Sequence, residues 1–133
     1  MPVTDTDIAP LITAAIDAAD RAYAPYSHYH VGTALRTREG VVYTGCNIEN
    51  ASFPAGICGE RTALVKAISE GERDFECIVV ATKNAGSPCG ICRQMLNEFA
   101  PTMRVVLVDF DGQIGWDGRL DELLPLGFGP SNL

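Results

Sequence analysis

The chain has 133 residues, 47% of them hydrophobic, which predicts a single domain over residues 1–133 with one buried core. Ten basic against 17 acidic residues leave a net charge of -7, and because such a surface repels phosphates we expect no nucleic-acid partner. No apolar run is long enough to cross a bilayer, and no secretory leader is predicted, so we expect no membrane partner. Five cysteines cannot all pair internally, which favours a cytoplasmic protein with free or metal-bound thiols.

The first third of the sequence predicts a helix followed by a β-hairpin. Thr4 or Asp5 can cap the helix, and Pro25 would end it. The segments "YHVGTALRT" and "VVYTGCNIE" follow, and the short connection "REG" between them favours a hairpin. The buried face of the helix is predicted from apolar residues at helical spacing, namely Ile8, Leu11, Ile12, Ala15, Ile16, Ala19 and Tyr23.

The rest of the chain predicts a strand–helix–strand crossover. "CGERTALVKAISEG" has helical periodicity and stops at Gly71. "FECIVVAT" and "MRVVLVDF" are short, branched apolar runs, typical of strands covered on both faces, and the helix "CGICRQMLNEFA" lies between them. This order predicts a right-handed parallel crossover. A weaker strand in "DFDGQIGW" and a short helix or turn in "RLDELLPLGF" complete the chain.

Three cysteines stand at predicted helix starts, namely Cys58, Cys89 and Cys92, whereas Cys46 and Cys77 lie in predicted strands and are interpreted as structural. Two helix N-termini that face each other would bring three thiols together, and their partial positive charge stabilises thiolates. Three sulfur ligands leave one position of a tetrahedral zinc site open, as in catalytic sites. The alternative is a redox pair formed by the two cysteines of "CGIC" alone.

Glu60 follows Cys58 by two residues and could reach a water molecule in the open position, where a carboxylate can transfer protons. Taken alone, "CGE" is weak evidence, because a Glu near a helix start is more often a partner of the helix dipole. Together with the later "PCGIC" it matches the signature of zinc deaminases, in which a ligand, one residue and a Glu precede Pro-Cys-x-x-Cys. The sequence therefore predicts a hydrolytic zinc site.

Most of the chain resembles the small, homotetrameric cytidine deaminases. The resemblance runs from "AYAPYS" through "VGTAL", "GCNIENASFPAGICGERTAL" and "SPCGICRQML" to "ELLPLGF". It implies an α/β fold, a three-layer sandwich with a mixed five-stranded sheet between helices. It also implies zinc-dependent hydrolysis of cytidine and 2′-deoxycytidine to uridine and 2′-deoxyuridine with release of ammonia, a reaction of pyrimidine salvage, in a homotetramer with shared active sites.

Carried over residue by residue, the resemblance makes Cys58, Cys89 and Cys92 the ligands of one Zn²⁺ per chain and Glu60 the catalytic acid/base. Three thiolates and Zn²⁺ sum to a charge of about -1, which weakens the ability of the metal to acidify water. The arginines that follow the two ligand motifs, Arg61 and Arg93, could offset this charge; surface salt bridges are the alternative role for both.

The resemblance also assigns the substrate-binding residues. The backbone amide of Gly59, where the family usually has alanine, would hold the pyrimidine carbonyl, and Asn47 and Glu49 match the pair that binds the ribose hydroxyls. Residues two apart on a strand project to one face, so this pair could bind a sugar or could simply form a solvated strand face. Tyr29 stands where a phenylalanine commonly lines the pocket, and Phe128 matches an aromatic that a neighbouring subunit stacks on the base.

Some positions depart from the family pattern, and they bear on substrate preference. His30 replaces a frequent glutamine or alanine, Thr33 a frequent alanine, and Phe53 a frequent tyrosine, while Tyr29 adds a hydroxyl group. An alternative function is therefore deamination of a related aminopyrimidine nucleoside, such as a nucleoside antibiotic or a modified cytidine. A non-catalytic zinc scaffold and a polynucleotide editor are less consistent with the glutamate and with the acidic charge, respectively.

Overall fold

The computed structural model describes residues 5–133, in which one mixed five-stranded sheet is packed between helices, as predicted. The strands lie in the order β2-β1-β3-β4-β5, and β3 and β4 are parallel while the other neighbouring pairs are antiparallel. The strands are β1 (Gly32–Thr37), β2 (Val42–Cys46), β3 (Phe75–Ala81), β4 (Arg104–Val108) and β5 (Ile114–Arg119). The helices are α1 (Asp5–Ala19), α2 (Gly59–Ser69), α3 (Gly90–Phe99) and α4 (Leu120–Leu123).

The central strands are covered on both faces because their residues alternate between two apolar clusters. In β3, Cys77, Val79 and Ala81 pack with α1, whereas Ile78 and Val80 pack with α2 and α3. This arrangement explains the continuous apolar runs of β3 and β4 and confirms the parallel β3-α3-β4 crossover. The interpretation of Cys77 as a core residue is also confirmed, since its side chain is fully buried.

A glycine sets how closely α2 approaches the sheet. A Cβ atom at Gly45 in β2 would lie 2.4 Å from the backbone nitrogen of Ala63 and 2.7 Å from the carbonyl oxygen of Gly59. These distances are shorter than van der Waals contact, so only a residue without a side chain allows this packing. The close contact fixes the first turn of α2, and with it Cys58 and Glu60, against the end of the strand.

The predicted end of the first helix was wrong. Helix α1 stops at Ala19 rather than at Pro25, and Tyr23 is 56% exposed instead of belonging to the buried stripe. The reason is a long-range backbone pairing: the N–H of Tyr23 donates to the carbonyl of Asn47, and its carbonyl accepts from the N–H of Glu49. The proposed cap Thr4 lies outside the described residues.

Among the helices of residues 5–133, none combines the length and the apolar content that crossing a bilayer requires.

Candidate active site

A cavity of about 650 Å³ lies where β2 and β3 end and where α2 and α3 begin. Its wall includes eight of the residues that the sequence analysis singled out: Tyr29, Asn47, Glu49, Phe53, Cys58, Glu60, Arg61 and Cys89. The wall also includes residues that the sequence analysis did not select, among them Ser27, Thr82, Gly86 and Ser87. Ser27 belongs to the quoted "AYAPYS" segment, but nothing in its local pattern distinguishes it from a turn residue.

The three predicted thiols lie close together, and two of them, Cys58 and Cys89, line this cavity. Cys58 and Cys89 are the N-cap residues of α2 and α3, and Cys92 lies in the first turn of α3 with its side chain fully buried. The Sγ atoms of Cys58 and Cys89 are 3.7 Å apart, those of Cys89 and Cys92 are 3.5 Å apart, and all three lie within 4.8 Å of one another. Tetrahedral zinc with Zn–S bonds of about 2.3 Å requires S–S edges of about 3.8 Å, so the donor set fits one zinc ion.

The position of Cys58 disfavours an isolated redox pair. Cys89 and Cys92 are 3.5 Å apart, a separation that a reduced redox pair and two ligands of one metal both allow. Cys58, from another helix, approaches Cys89 almost as closely, which a two-cysteine redox motif does not require. Three sulfurs from two helices within 4.8 Å of one another are what a metal site with one open position needs.

One of the two arginines that could offset the thiolate charge, Arg61, contacts a sulfur of the cluster. The pKa of the Cys58 thiol is well below its usual range because it hydrogen-bonds with the Cys92 thiol and with the guanidinium of Arg61, whose Nη2 is 3.6 Å from Sγ. The Cys92 thiol has a raised pKa, because it is the proton donor in that hydrogen bond and because it is buried. The contacts of Cys58 with Cys92 and Arg61 therefore favour its thiolate form, the form that binds a metal.

The two arginines next to the motifs differ in their contacts. Arg61 contacts a sulfur directly, which supports its role in balancing thiolate charge. Arg93 instead donates to the carbonyl oxygens of Pro88 and Leu123, both at 2.7 Å, and to the hydroxyl of Ser87 at 2.9 Å. Arg93 thus braces the segment that leads into Cys89.

Glu60 is the second residue of α2 and only 3% exposed, although it lines the cavity. Burial, and then the negative charge of Cys58, raise the pKa of the Glu60 carboxyl to about 7. A carboxyl group with such a pKa can both accept and release a proton near neutral pH, which suits a general acid/base. The Glu60 carboxyl thus lies on the cavity wall and interacts with Cys58 and Cys92 of the thiol cluster.

Asn47 and Glu49 both line the cavity, although β2 ends before them at Cys46. The Asn47 side chain is buried and hydrogen-bonds with the backbone of the segment that precedes β1. Its Oδ1 accepts from the N–H of Val31 at 2.9 Å, and its Nδ2 donates to the carbonyl of Tyr29 at 2.8 Å. Each group of the amide keeps one further hydrogen-bonding position for a ligand.

Glu49 accepts hydrogen bonds from the turn that precedes Tyr29. Its Oε1 accepts from the backbone N–H groups of Tyr26 at 2.9 Å and Ser27 at 3.1 Å, and its Oε2 accepts from the Ser27 hydroxyl. The bond from the Ser27 side chain is the main reason why the pKa of the Glu49 carboxyl is lowered. An ionised carboxylate therefore stands on the cavity wall.

Phe128 is not among the residues that line the cavity of its own chain. Its side chain is 57% exposed, and its carbonyl oxygen accepts from Gln94 Nε2 at 2.8 Å and Asn97 Nδ2 at 3.2 Å, both on α3. The C-terminal segment is therefore anchored to α3 with the aromatic ring partly exposed. This position is compatible with a role in the cavity of another subunit.

Thr33 and Gly59, which both replace a frequent alanine, lie next to each other. The Thr33 hydroxyl is buried and has no hydrogen-bond partner within residues 5–133. A Cβ atom at Gly59 would lie 3.1 Å from this Thr33 oxygen and 3.1 Å from Cγ1 of Val31. The glycine therefore makes room for the threonine, while its backbone amide remains at the start of α2, where helix N–H groups lack intrahelical partners.

We expect about one zinc per chain, because the three sulfurs provide one tetrahedral site. Cys58→Ser, Cys89→Ser and Cys92→Ser should each lose zinc, which elemental analysis of purified protein measures. Cys46→Ser is the matched control and should retain the metal, because Cys46 lies outside the cluster. If Cys46→Ser loses zinc while Cys58→Ser keeps it, the ligand assignment is wrong.

Comparisons with known proteins point in one direction. Residues 6–109 match the family model described as the cytidine and deoxycytidylate deaminase zinc-binding region. A cytidine deaminase of Halalkalibacterium halodurans is 47% identical over 121 residues, which cover 89% of this chain and 91% of that protein. The crystal structure of a cytidine deaminase from Burkholderia pseudomallei superimposes with a TM-score of 0.85 at 44% identity, over 90% of this chain and 97% of that one. A blasticidin-S deaminase of Bacillus cereus is 30% identical, with 89% of each chain covered.

Proposed function

Since the chain belongs to the cytidine and deoxycytidylate deaminase family, we propose that it hydrolyses cytidine and 2′-deoxycytidine to uridine and 2′-deoxyuridine with release of ammonia. The observation that carries this proposal is the placement of a buried Glu60 beside three sulfurs at zinc-ligand spacing, inside a cavity of about 650 Å³. Release of ammonia from cytidine, deoxycytidine and cytosine, measured together with zinc content on one preparation, tests the proposal. A zinc-loaded protein that deaminates none of them would contradict it.

In the proposed mechanism Cys58, Cys89 and Cys92 hold the zinc ion. When bound, zinc supplies Lewis-acid chemistry that makes a water molecule more acidic. Glu60 takes a proton from the attacking water as the water oxygen bonds to C4 of cytosine, and gives this proton to ring nitrogen N3. Glu60 then carries the proton of the new hydroxyl group to N4, the C4–N4 bond breaks, and ammonia leaves. The C4 carbonyl of uridine remains.

The other assigned residues would position the nucleoside for this reaction. The amide of Gly59 would donate to the pyrimidine carbonyl, and the ribose hydroxyls would bind Asn47 and Glu49. Support comes from the cavity wall, where the free hydrogen-bonding positions of Asn47 and the ionised carboxylate of Glu49 lie together with Tyr29. Contacts to the sugar are remote from C4, so their binding energy can position the reacting atom.

We propose further that the chain is a single catalytic domain that acts as a cytoplasmic homotetramer in pyrimidine salvage. We expect sedimentation velocity at the assay concentration to show the tetramer.

Phe128→Ala should raise KM by about fivefold or more, because stacking of a base on an aromatic side chain contributes roughly 1–3 kcal/mol. Phe110→Ala, which also truncates a partly exposed ring, is the control and should leave KM unchanged. A fully active monomer would contradict the shared site.

A second candidate function is favoured by the similarity to a blasticidin-S deaminase. Its test is the same assay with blasticidin S and modified cytidines added to the substrate panel. A kcat/KM higher for the antibiotic than for cytidine would make that second function the principal one. The proposed assignment predicts the opposite order, because the chain and the cytidine deaminases share the higher identity.

A further inference from the structure

We propose that Tyr29 is a positioning residue, whose hydroxyl group holds the β3–α3 loop (residues 82–88) in the shape that the nucleoside cavity requires. Because Gly86 has no side chain, there is room beside its Cα atom for the Tyr29 hydroxyl. The kinetic part of this inference rests on the proposed deaminase function, whereas its structural part does not. The sequence resemblance assigned to Tyr29 only a place on the cavity wall.

The hydroxyl of Tyr29 joins two distant parts of the cavity wall. It donates to Oδ1 of Asn84 at 2.7 Å, across a sequence separation of 55 positions. Tyr29 lies just before β1, and Asn84 lies in the β3–α3 loop, from which Thr82, Gly86 and Ser87 line the same cavity. The hydrogen bond therefore ties the loop to a segment outside the β3-α3 unit, at the place where substrate would bind.

The same hydroxyl completes a chain of hydrogen bonds inside the loop. The N–H of Gly86 donates to Oγ1 of Thr82 at 2.7 Å, and Thr82 in turn lies 3.3 Å from the Asn84 oxygen that accepts from Tyr29. Ala85, within this chain, has a φ of 54°, a left-handed conformation that non-glycine residues adopt only when the surroundings impose it. The loop thus needs support, and Tyr29 provides some of it.

The space at Gly86 links this glycine to the tyrosine. A Cβ atom at Gly86 would lie 2.4 Å from the Tyr29 hydroxyl oxygen, 3.4 Å from Asn84 Oδ1 and 3.5 Å from Thr82 Oγ1. The first distance is a clash and the other two are ordinary contacts. A side chain at position 86 is therefore excluded mainly by the hydroxyl of Tyr29, and removal of that hydroxyl should relieve the conflict.

The end of the loop next to the thiol cluster is held separately, by Arg93 at Ser87 and Pro88. Loss of the Tyr29 hydroxyl should therefore loosen the middle of the loop without displacing Cys89. The aromatic ring has its own contact with the loop, since Lys83 Nζ lies 5.7 Å from the ring centroid. Tyr29→Phe keeps this contact and removes the hydroxyl alone.

The kinetic test compares Tyr29→Phe with the wild type. KM for cytidine should rise by about 2- to 12-fold, the factor that corresponds to loss of one net hydrogen bond, while kcat changes less and zinc content is unchanged. The matched control is Tyr43→Phe, which also loses one hydroxyl hydrogen bond, to Glu72 Oε2 at 3.0 Å, at a site that does not line the cavity. It should leave KM unchanged.

Two further variants separate positioning from direct contact of the hydroxyl with substrate. Asn84→Ala should reproduce the KM of Tyr29→Phe, and the double variant should cost no more than either single one, because both remove the same bond. Additive losses, or an unchanged KM in Asn84→Ala, would overturn the proposal.

Gly86→Ala should raise KM strongly in the wild type and clearly less in the Tyr29→Phe background. Equal increases of KM in the two backgrounds would also overturn the proposal.

Hydrogen exchange gives a readout that needs no activity. In the substrate-free, zinc-loaded protein, Tyr29→Phe should speed the exchange of the Gly86 amide, whose hydrogen bond to Thr82 depends on the loop shape. Tyr43→Phe should leave this exchange unchanged. Unchanged exchange in Tyr29→Phe overturns the inference whatever the substrate is, and faster exchange with an unchanged KM overturns the role in substrate positioning.

Discussion

Replacement of Glu60 by glutamine is expected to lower turnover by at least about 10²-fold, the lower end of what general acid/base catalysis contributes. Glutamine keeps the size of the side chain but cannot accept a proton and pass it on. Because Glu60 is not one of the three sulfur ligands, zinc should stay bound. Because it is not assigned to the sugar, nucleoside binding should also persist.

The measurements are kcat, zinc content and the Kd of a non-hydrolysable cytidine analogue for the same preparation. Glu39→Gln, an exposed carboxylate in the β1–β2 turn, is the control and should behave as the wild type. Near-normal turnover of Glu60→Gln would eliminate this residue as the acid/base. Loss of turnover together with zinc would instead show that Glu60 maintains the metal site.

Free cytosine should be a very poor substrate, by at least about 10²-fold in kcat/KM if the contacts to Asn47 and Glu49 are both lost. A buried polar group that loses its partner costs roughly 1–3 kcal/mol, and more if it is charged. Glu49→Gln should therefore reduce kcat/KM for cytidine far more than for cytosine, so that the difference between the two substrates narrows. The measurement is kcat/KM for both compounds with both proteins.

The structure suggests a sharper control for this experiment, because Glu49 also accepts hydrogen bonds from the turn at Tyr26 and Ser27. Ser27→Ala removes the hydroxyl donor but leaves the carboxylate and its two backbone donors. If Glu49 acts on the sugar, Ser27→Ala should have a much smaller effect on cytidine than Glu49→Gln. Equal losses on cytosine and cytidine in Glu49→Gln would mean that the residue supports the turn or the zinc site.

The parts of this site that could be predicted from sequence are those encoded by short spacing. Cys58 with Glu60, and Cys89 with Cys92, each lie within one helical turn, so a local pattern contains their relative geometry. The two motifs meet because α2 and α3 pack on the same face of the sheet, in one apolar cluster with β3. The parallel β3-α3-β4 crossover was predictable from apolar runs and chain order, whereas the three-layer fold with its five-stranded sheet came from the family resemblance.

The parts that could not be predicted depend on contacts between distant residues. Helix α1 ends early because Tyr23 pairs with the backbone beyond β2. The sequence around Ala19 contains no residue that would predict the end of a helix there. The contact between Tyr29 and Asn84 spans 55 positions, and neither residue has a local pattern that would indicate it. Similarly, the double use of Asn47, as a brace and as a candidate sugar ligand, becomes visible only in three dimensions.

The packing of Thr33 against Gly59 also constrains the order in which these two positions can change during evolution. Starting from alanine at both, threonine at position 33 would first have to be accommodated 3.1 Å from an existing Cβ at position 59, a crowded intermediate. The reverse order passes only through a small void. Once both changes are made, restoring alanine at position 59 alone is the crowded step, so the pair behaves as a ratchet that is released most easily when Thr33 changes first.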